Sequence, residues 1–359
     1  MQRRLFFLVC GSVFVGLSIL SFYNPIVTFM STLDSSINQI YIYTNSSANK
    51  ENTFKLLSSP PNQTNSLGNE SSSTTTTSTT QQSTTSQANV TKLYLTTRFM
   101  GRLGNQMFIY ATMVGLARAQ NRVPVINSGG DLVKTFQITN LNKDMNTDGW
   151  NVISESAYAI FNSKFMNLPP RNLIVTGYLQ CWRYFQHAQD EIRREFTFVP
   201  SIQKEADAVL ASCRSKLQNH VIVGVHVRRG DFVSPGGQKY GYGVADASYF
   251  VKAFAKIRSL LPNQNITFLV ASDDMTWCKN NLNDSSVKML SEGNAGNHFA
   301  ILSSCDHVIL TGGTFGWWVA WLANGITIYY KDFIKYPMPQ MFESLLEINN
   351  PMVCKLMLN

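Results

Sequence analysis

Residues 220–227 read His-Val-Ile-Val-Gly-Val-His-Val, an almost unbroken run of apolar, mostly β-branched residues. A strand with one solvated face alternates polar and apolar positions; a strand of a parallel sheet, covered by helices on both faces, has no need to. Downstream of this run the spacing predicts a helix over 246–260, a strand over 266–271, a helix over 297–304, a strand over 307–310, a helix over 315–323 and a strand over 326–330. Upstream, 93–97 is β-rich and 101–105 reads as a turn. Residues 106–120 carry Met107, Tyr110, Ala111, Val114 and Ala117 at helical spacing, and 123–126 and 173–176 read as strands. A further helix is expected over 201–217, after Pro200. Alternation of this kind argues for an α/β class of doubly wound parallel sheets. At ~130 residues per half, two Rossmann-like domains facing a cleft are the economical architecture, 92–219 and 220–359. No internal repeat is visible.

Ligands of doubly wound sheets bind beyond the carboxyl ends of the strands. Three segments change there from apolar strand to polar loop: His226-Val-Arg228-Arg229-Gly230-Asp231, Ser272-Asp273-Asp274, and Thr311-Gly-Gly-Thr314-Phe315-Gly316. Adjacent arginines offer planar forks to phosphate oxygens. A Gly-Gly-Thr turn at a helix start offers backbone N–H groups and a hydroxyl to an anion. Carboxylates at a neighbouring strand end suit a ribose or a guanine edge. Singly, each has a plain structural reading: a solvated arginine pair, a helix cap, a turn. Together they describe a site for a nucleotide diphosphate.

The amino terminus indicates the compartment. Arg3 and Arg4 precede residues 5–22, which carry no charge and are long enough to cross a ~30 Å hydrocarbon core as a helix. The positive-inside bias then leaves 1–4 in the cytosol and the rest in the secretory lumen. A cleaved signal peptide is the alternative, but no small-x-small cleavage site is clear after the span. Residues 23–91 form a stem whose 71–86 segment is Ser or Thr at fourteen of sixteen positions, too polar to offset the entropy of ordering. Sequons for N-glycosylation occur at Asn45, Asn62, Asn69, Asn89, Asn265 and Asn283. Five cysteines on the lumenal side, Cys181, Cys213, Cys278, Cys305 and Cys354, allow at most two internal disulfides, with partners unreadable from sequence. The net charge of +8 suits an anionic ligand, yet no basic run supports nucleic-acid binding. HExxH, Walker-type GxxxxGK, GxSxG and CxxC are absent, as is a D-x-D triad.

The stretch Gly224-Val-His226-Val-Arg228-Arg229-Gly230-Asp231-Phe232 resembles the H-x-R-R-x-D signature of the α1,2-fucosyltransferases, glycosyltransferase family 11. Gly101-Arg-Leu-Gly-Asn105-Gln106-Met-Phe resembles the G-R-L-G-N-Q opening of that family. The segments beginning at Gly177 (GYLQCWRYF) and Cys305 (CDHV, then GTFGWW from Gly313) resemble two more. The likeness runs in order from about residue 93 to 330; Cys181, where Ser is common, and the long stem depart from it. The resemblance implies a GT-B type enzyme, with 92–219 as the acceptor-side domain and 220–359 as the nucleotide-sugar-binding one, anchored in the Golgi membrane as a single-pass type II protein. It would invert GDP-β-L-fucose to an α-fucoside on a glycan of a glycoprotein or glycolipid, with no metal and no cofactor. By similarity Arg228 contacts the pyrophosphate, and His226 with Asp273 or Asp274 helps hold the nucleoside. Thr314 and Phe315 would line the phosphate and base region, and Asn105 would face fucose or acceptor. Arg228, Asp231 and Asn105 are the catalytic candidates.

Other readings compete at several positions. Arg229 is either a donor contact or a brace acting through Asp231, and Asp231 is either a general base or the partner of Arg229. Trp317, Trp318 and Trp321 sit at helical spacing and read as core rather than as an acceptor platform. His298 and His307 read as packed or capping histidines. At the level of function, the alternatives are another acceptor (protein Ser/Thr or core N-acetylglucosamine) or a Golgi-anchored pseudoenzyme that only binds sugar. Asn105, Arg228, Asp231 and Thr314 together speak against the pseudoenzyme.

Overall fold

The computed structural model describes residues 92–214, 219–291 and 293–334, with the backbone of Lys355–Leu358. The anchor expected at 5–22, the 23–91 stem, its four sequons and Cys354 lie outside the described residues. Among the described residues no helix is long and apolar enough to cross a membrane.

The chain runs β1 (Tyr94–Thr97), α1 (Leu103–Ala119), β2 (Val123–Pro124), α2 (Gly130–Thr135), β3 (Asn151–Ser154), β4 (Leu173–Thr176), α3 (Gln189–Glu195) and α4 (Pro200–Cys213). It continues through β5 (His220–Val227), α5 (Pro235–Lys239), α6 (Ala247–Leu260), β6 (Asn265–Ser272), α7 (Met275–Asn281), β7 (Val287–Met289) and α8 (Ala295–Ser303). The last elements are β8 (His307–Leu310), α9 (Gly313–Ala323), β9 (Thr327–Tyr330) and β10 (Lys355–Leu358).

Two sheets result, both parallel throughout: β2-β1-β4-β3 and β10-β9-β8-β5-β6-β7. The 220–227 run is the central strand of the larger sheet, paired along its whole length with β6 and over Val223–His226 with β8. Its Ile222, Val223 and Val225 are fully buried, which is why the run does not alternate. In the larger sheet the strand order reverses once, between β5 and β8. Such reversals open crevices at the carboxyl edge of a doubly wound sheet.

The smaller and larger sheets share a core made by α1 and α9. Trp318 and Trp321 of α9 are fully buried and Trp317 nearly so, as their helical spacing predicts. Phe108 of α1 lies 4.8 Å from Trp317 and 4.9 Å from Trp318, and Phe185 stacks on Trp318 at 5.5 Å. Aromatic pairs at these separations add ~0.5–1.5 kcal/mol each beyond the area they bury. Arg193 closes the cluster, its guanidinium 4.0 Å over Trp321 and donating to the Trp321 carbonyl at 2.7 Å.

The structure differs from the sequence reading at the start of α1. The turn is confined to Gly101, at φ 71°, and Arg102; the helix begins at Leu103 and takes in Gly104 and Asn105. Gly104 is there for close approach: a Cβ on it would sit 2.6 Å from Phe315 N and 2.8 Å from Thr314 Oγ1 at the start of α9. Strands β3 and β7 and helices α2, α3, α5 and α7 went unread because they are short, and β3 is mostly exposed and polar. Cys181, Cys213, Cys278 and Cys305 are buried thiols, with no disulfide among the described residues.

Candidate functional site

The larger sheet reverses where β5 and β8 lie side by side, and two of the three polar loops leave from those strands. Thr311 ties them together: its hydroxyl accepts from Arg228 N at 2.8 Å, and its own N–H donates to the His226 carbonyl at 3.2 Å. The third loop, after β6, supplies Asp273. One of its oxygens accepts from the amides of Arg229 (2.8 Å) and Gly230 (3.1 Å), and the other is ion-paired with Arg228 Nη1. Gly230 permits this, since a Cβ there would meet the Asp273 carboxylate at 2.4 Å. The 228–230 loop is therefore wrapped around one carboxylate.

The ion pairs correct the assignment expected for the two arginines. Asp231 pairs with Arg228, three residues earlier, and not with Arg229. Arg229 is instead held by Asp274, at 3.1 Å from Nε, and lies flat over Trp277 at 4.0 Å. The reason is local geometry. Arg229 is the residue before a short 3₁₀ turn at Gly230–Val233 and points toward α7, whereas Arg228 and Asp231 face the same side of the loop. Asp274 caps α7 by accepting from Trp277 N at 3.1 Å, so the Asp-Asp pair includes the helix cap that was its plain reading. Arg228 uses two of the five N–H donors of a guanidinium on Asp231 and Asp273, and its side chain is 19% exposed.

Beside this loop two helix starts abut, those of α1 and α9. Neither α1 nor α9 has a side-chain cap at its amino end. Gly312 and Gly313 turn into α9 at φ 138° and 80°. Asn105 Oδ1 accepts from Thr314 Oγ1 at 2.8 Å and from Gln180 Nε2 at 3.0 Å. Uncapped helix starts carry unsatisfied N–H groups and roughly +0.5 of an elementary charge each, so two side by side favour an anion. Phe315 stacks on His226 at 4.9 Å. Burial pushes the His226 imidazole down to about 4, so it is neutral near pH 7, and its Nδ1 has no hydrogen-bond partner.

The structure thus brings His226, Arg228, Asp231, Asp273, Thr314, Phe315 and Asn105 into one connected cluster at the carboxyl ends of β5, β6 and β8, with Arg229 and Asp274 beside it, paired with each other. Asn265 and Asn283 are exposed and lie elsewhere, Asn265 being the first residue of β6, at the end of the strand remote from Asp273. His298 and His307 are engaged with backbone, with Ser291 O at 2.9 Å and Ile326 N at 3.1 Å, as packed or capping residues are. The sequence reading missed Thr311, Gln180 and Trp277. Thr311 stood next to the Gly-Gly turn and was the one signal available; the others become meaningful only through contacts across the fold.

The model of glycosyl transferase family 11 matches residues 64–346. The chain belongs to glycosyl transferase family 11. This family 11 enzyme is 34% identical to galactoside alpha-(1,2)-fucosyltransferase 2 of Mus musculus over 249 residues, covering 66% of this chain and 71% of that protein. It is 33% identical to galactoside alpha-(1,2)-fucosyltransferase 1 of Homo sapiens over 248 residues, covering 65% and 66%. Among solved structures, the fucosyltransferase NodZ from Bradyrhizobium superposes with a TM-score of 0.46 and 15% identity, covering 65% of this chain and 94% of that one. The family 11 enzyme is accordingly a fucosyltransferase, with parallel α/β sheets as its sequence predicts.

Proposed function

We propose that the protein transfers L-fucose from GDP-β-L-fucose to a terminal galactose, in α1,2 linkage and with inversion. The observation that carries the donor is the convergence at the β5/β8 reversal of Arg228 with the uncapped starts of α1 and α9. The acceptor and linkage follow the named activities of the relatives. In this reading the two sheets are the halves of a GT-B fold. The diphosphate lies against the helix starts and Thr314, and Asn105 faces the fucosyl group. The acceptor hydroxyl attacks C1 from the face opposite GDP. The C1–O bond to the β-phosphate breaks and its electron pair leaves with GDP. Charge therefore grows on the β-phosphate, where the remaining Arg228 N–H donors and the helix starts stabilise it without a metal. Asp231, half-exposed beside Arg228, is the candidate base. An amino-terminal anchor would hold the catalytic part in the Golgi lumen.

The test is Arg228. A cation that binds the departing phosphate more tightly in the transition state than in the bound donor lowers the barrier. Removing one such group costs ~10²–10³ in rate. Arg228→Ala is expected to lose turnover on that scale while still folding, because Asp273 keeps its two backbone donors. Arg228→Lys is expected to rescue poorly, since an ammonium lacks the planar fork. Near-normal transfer by folded Arg228→Ala overturns the assignment.

A further inference from the structure

Glu155 in the smaller sheet repeats what Asp273 does in the larger one: it collects backbone amides of the loop that leaves the neighbouring strand. Glu155 directly follows β3, and its N–H donates to Thr176 O at 2.8 Å, continuing the β3–β4 ladder by one step. Its carboxylate lies where the chain leaves β4, and Oε2 accepts from Leu179 N at 3.1 Å. Gly177 permits the approach, since a Cβ there would sit 2.4 Å from Glu155 Cβ and 2.7 Å from Oε2.

The backbone gathered in this way is strained. Leu179, at φ 51°, and Ala159, at φ 56°, both occupy the left-handed region, which is unfavourable for a residue with a Cβ. Burial pushes the Glu155 pKa up, and the amides of Leu179, Tyr178 and Ala159 pull against that rise by favouring the carboxylate. The Leu179 carbonyl is fixed as well, accepting from the Thr112 hydroxyl of α1 at 2.9 Å.

The two turns carry side chains that lead to the site. Tyr158 precedes Ala159, and Gln180 follows Leu179. Tyr158 OH donates to Gln180 Oε1 at 2.7 Å, and Gln180 Nε2 donates to Asn105 Oδ1 at 3.0 Å, the same atom that accepts from Thr314. Gln180 is 1% exposed, so these bonds rather than water set its orientation. Two donors converging on one oxygen then hold the Asn105 side chain. Glu155 therefore reaches Asn105 through one backbone loop and one amide side chain.

We propose that Glu155 is a positioning residue for the transfer reaction: its carboxylate holds the 177–180 loop in the strained form from which Gln180 orients Asn105. The proposal rests on the fucosyl-transfer reading, in which Asn105 faces the fucosyl group. The experiment compares wild type, Glu155→Ala, Glu155→Gln, Asn105→Ala and the double variants of Asn105→Ala with each Glu155 change. It measures kcat and KM with GDP-fucose and a β-galactoside, and GDP affinity by calorimetry. A displacement of ~1 Å at a positioned group costs about 10²-fold in rate, so kcat should fall on that scale in Glu155→Ala, with GDP affinity unchanged. The loss should be smaller in Glu155→Gln, which keeps the volume and one acceptor oxygen. Because both residues act along one path, each double variant should be no slower than Asn105→Ala alone. Losses that multiply in the double variants overturn the proposal, as does wild-type kcat in folded Glu155→Ala. If Glu155→Ala does not fold, the Glu155→Gln pair decides by the same criterion. GDP affinity lost in step with turnover also overturns the proposal, by showing a general structural effect. Each of these results leaves fucosyl transfer standing, whereas a wild-type protein that neither binds GDP nor uses GDP-fucose overturns both readings.

Discussion

His226 shows how a residue chosen for chemistry is first governed by its surroundings. It is the last but one residue of β5, 8% exposed, and stacked on Phe315. Burial lowers its pKa from 6.5 to about 4, so between those values the unfolded chain takes up a proton that the folded chain refuses. Stability from this residue is therefore intact above pH 6.5 and falls as the pH drops toward 4, by at most ~1.4 kcal/mol per pH unit. The melting-temperature advantage of wild type over His226→Phe should shrink across that window; an offset independent of pH would contradict the assignment. Arg229 obeys the same logic. Pinned by Asp274 and Trp277, it should lower the melting temperature when changed to Ala, whatever the effect on turnover. The sequence marked both residues as candidates at the carboxyl end of β5. It could not tell which arginine takes Asp231, because pairing three residues apart depends on how the loop turns at Gly230.

Strands buried on both faces and the helices that follow Pro200 and the Gly312-Gly313 turn were legible because their signals are local, whereas the short helices starting at Gly130 and Pro235 were not read. Strands β4, β5 and β8 begin and end where their composition changes. The start of α1 was not legible, because Gly104 is helical for a non-local reason, the approach of α9. That contact supports an element-scale prediction. Gly104→Ala must displace the start of α9 and is expected to reduce transfer more than stability, whereas Trp318→Ala, deep between α1 and α9, should destabilise by ~3–5 kcal/mol. Denaturant melts and rates on the two variants separate these effects. Equal loss of stability from both would show that the α1/α9 contact is core packing only.

At the scale of the molecule, the carboxyl edges of two parallel sheets are joined through Asn105, which accepts from Gln180 after β4 and from Thr314 at the start of α9. The family signature was readable because its residues cluster at strand ends; the contact of Asn105 with Thr314 was not, because it joins two helix starts that lie far apart in the chain. The most direct measurement is the linkage of the product formed when a soluble 92–359 protein is given GDP-fucose and a β-galactoside in EDTA. The account predicts fucose in α1,2 linkage to galactose, formed without added metal. A different linkage, or transfer only after Mn²⁺ or Mg²⁺ is supplied, would contradict it.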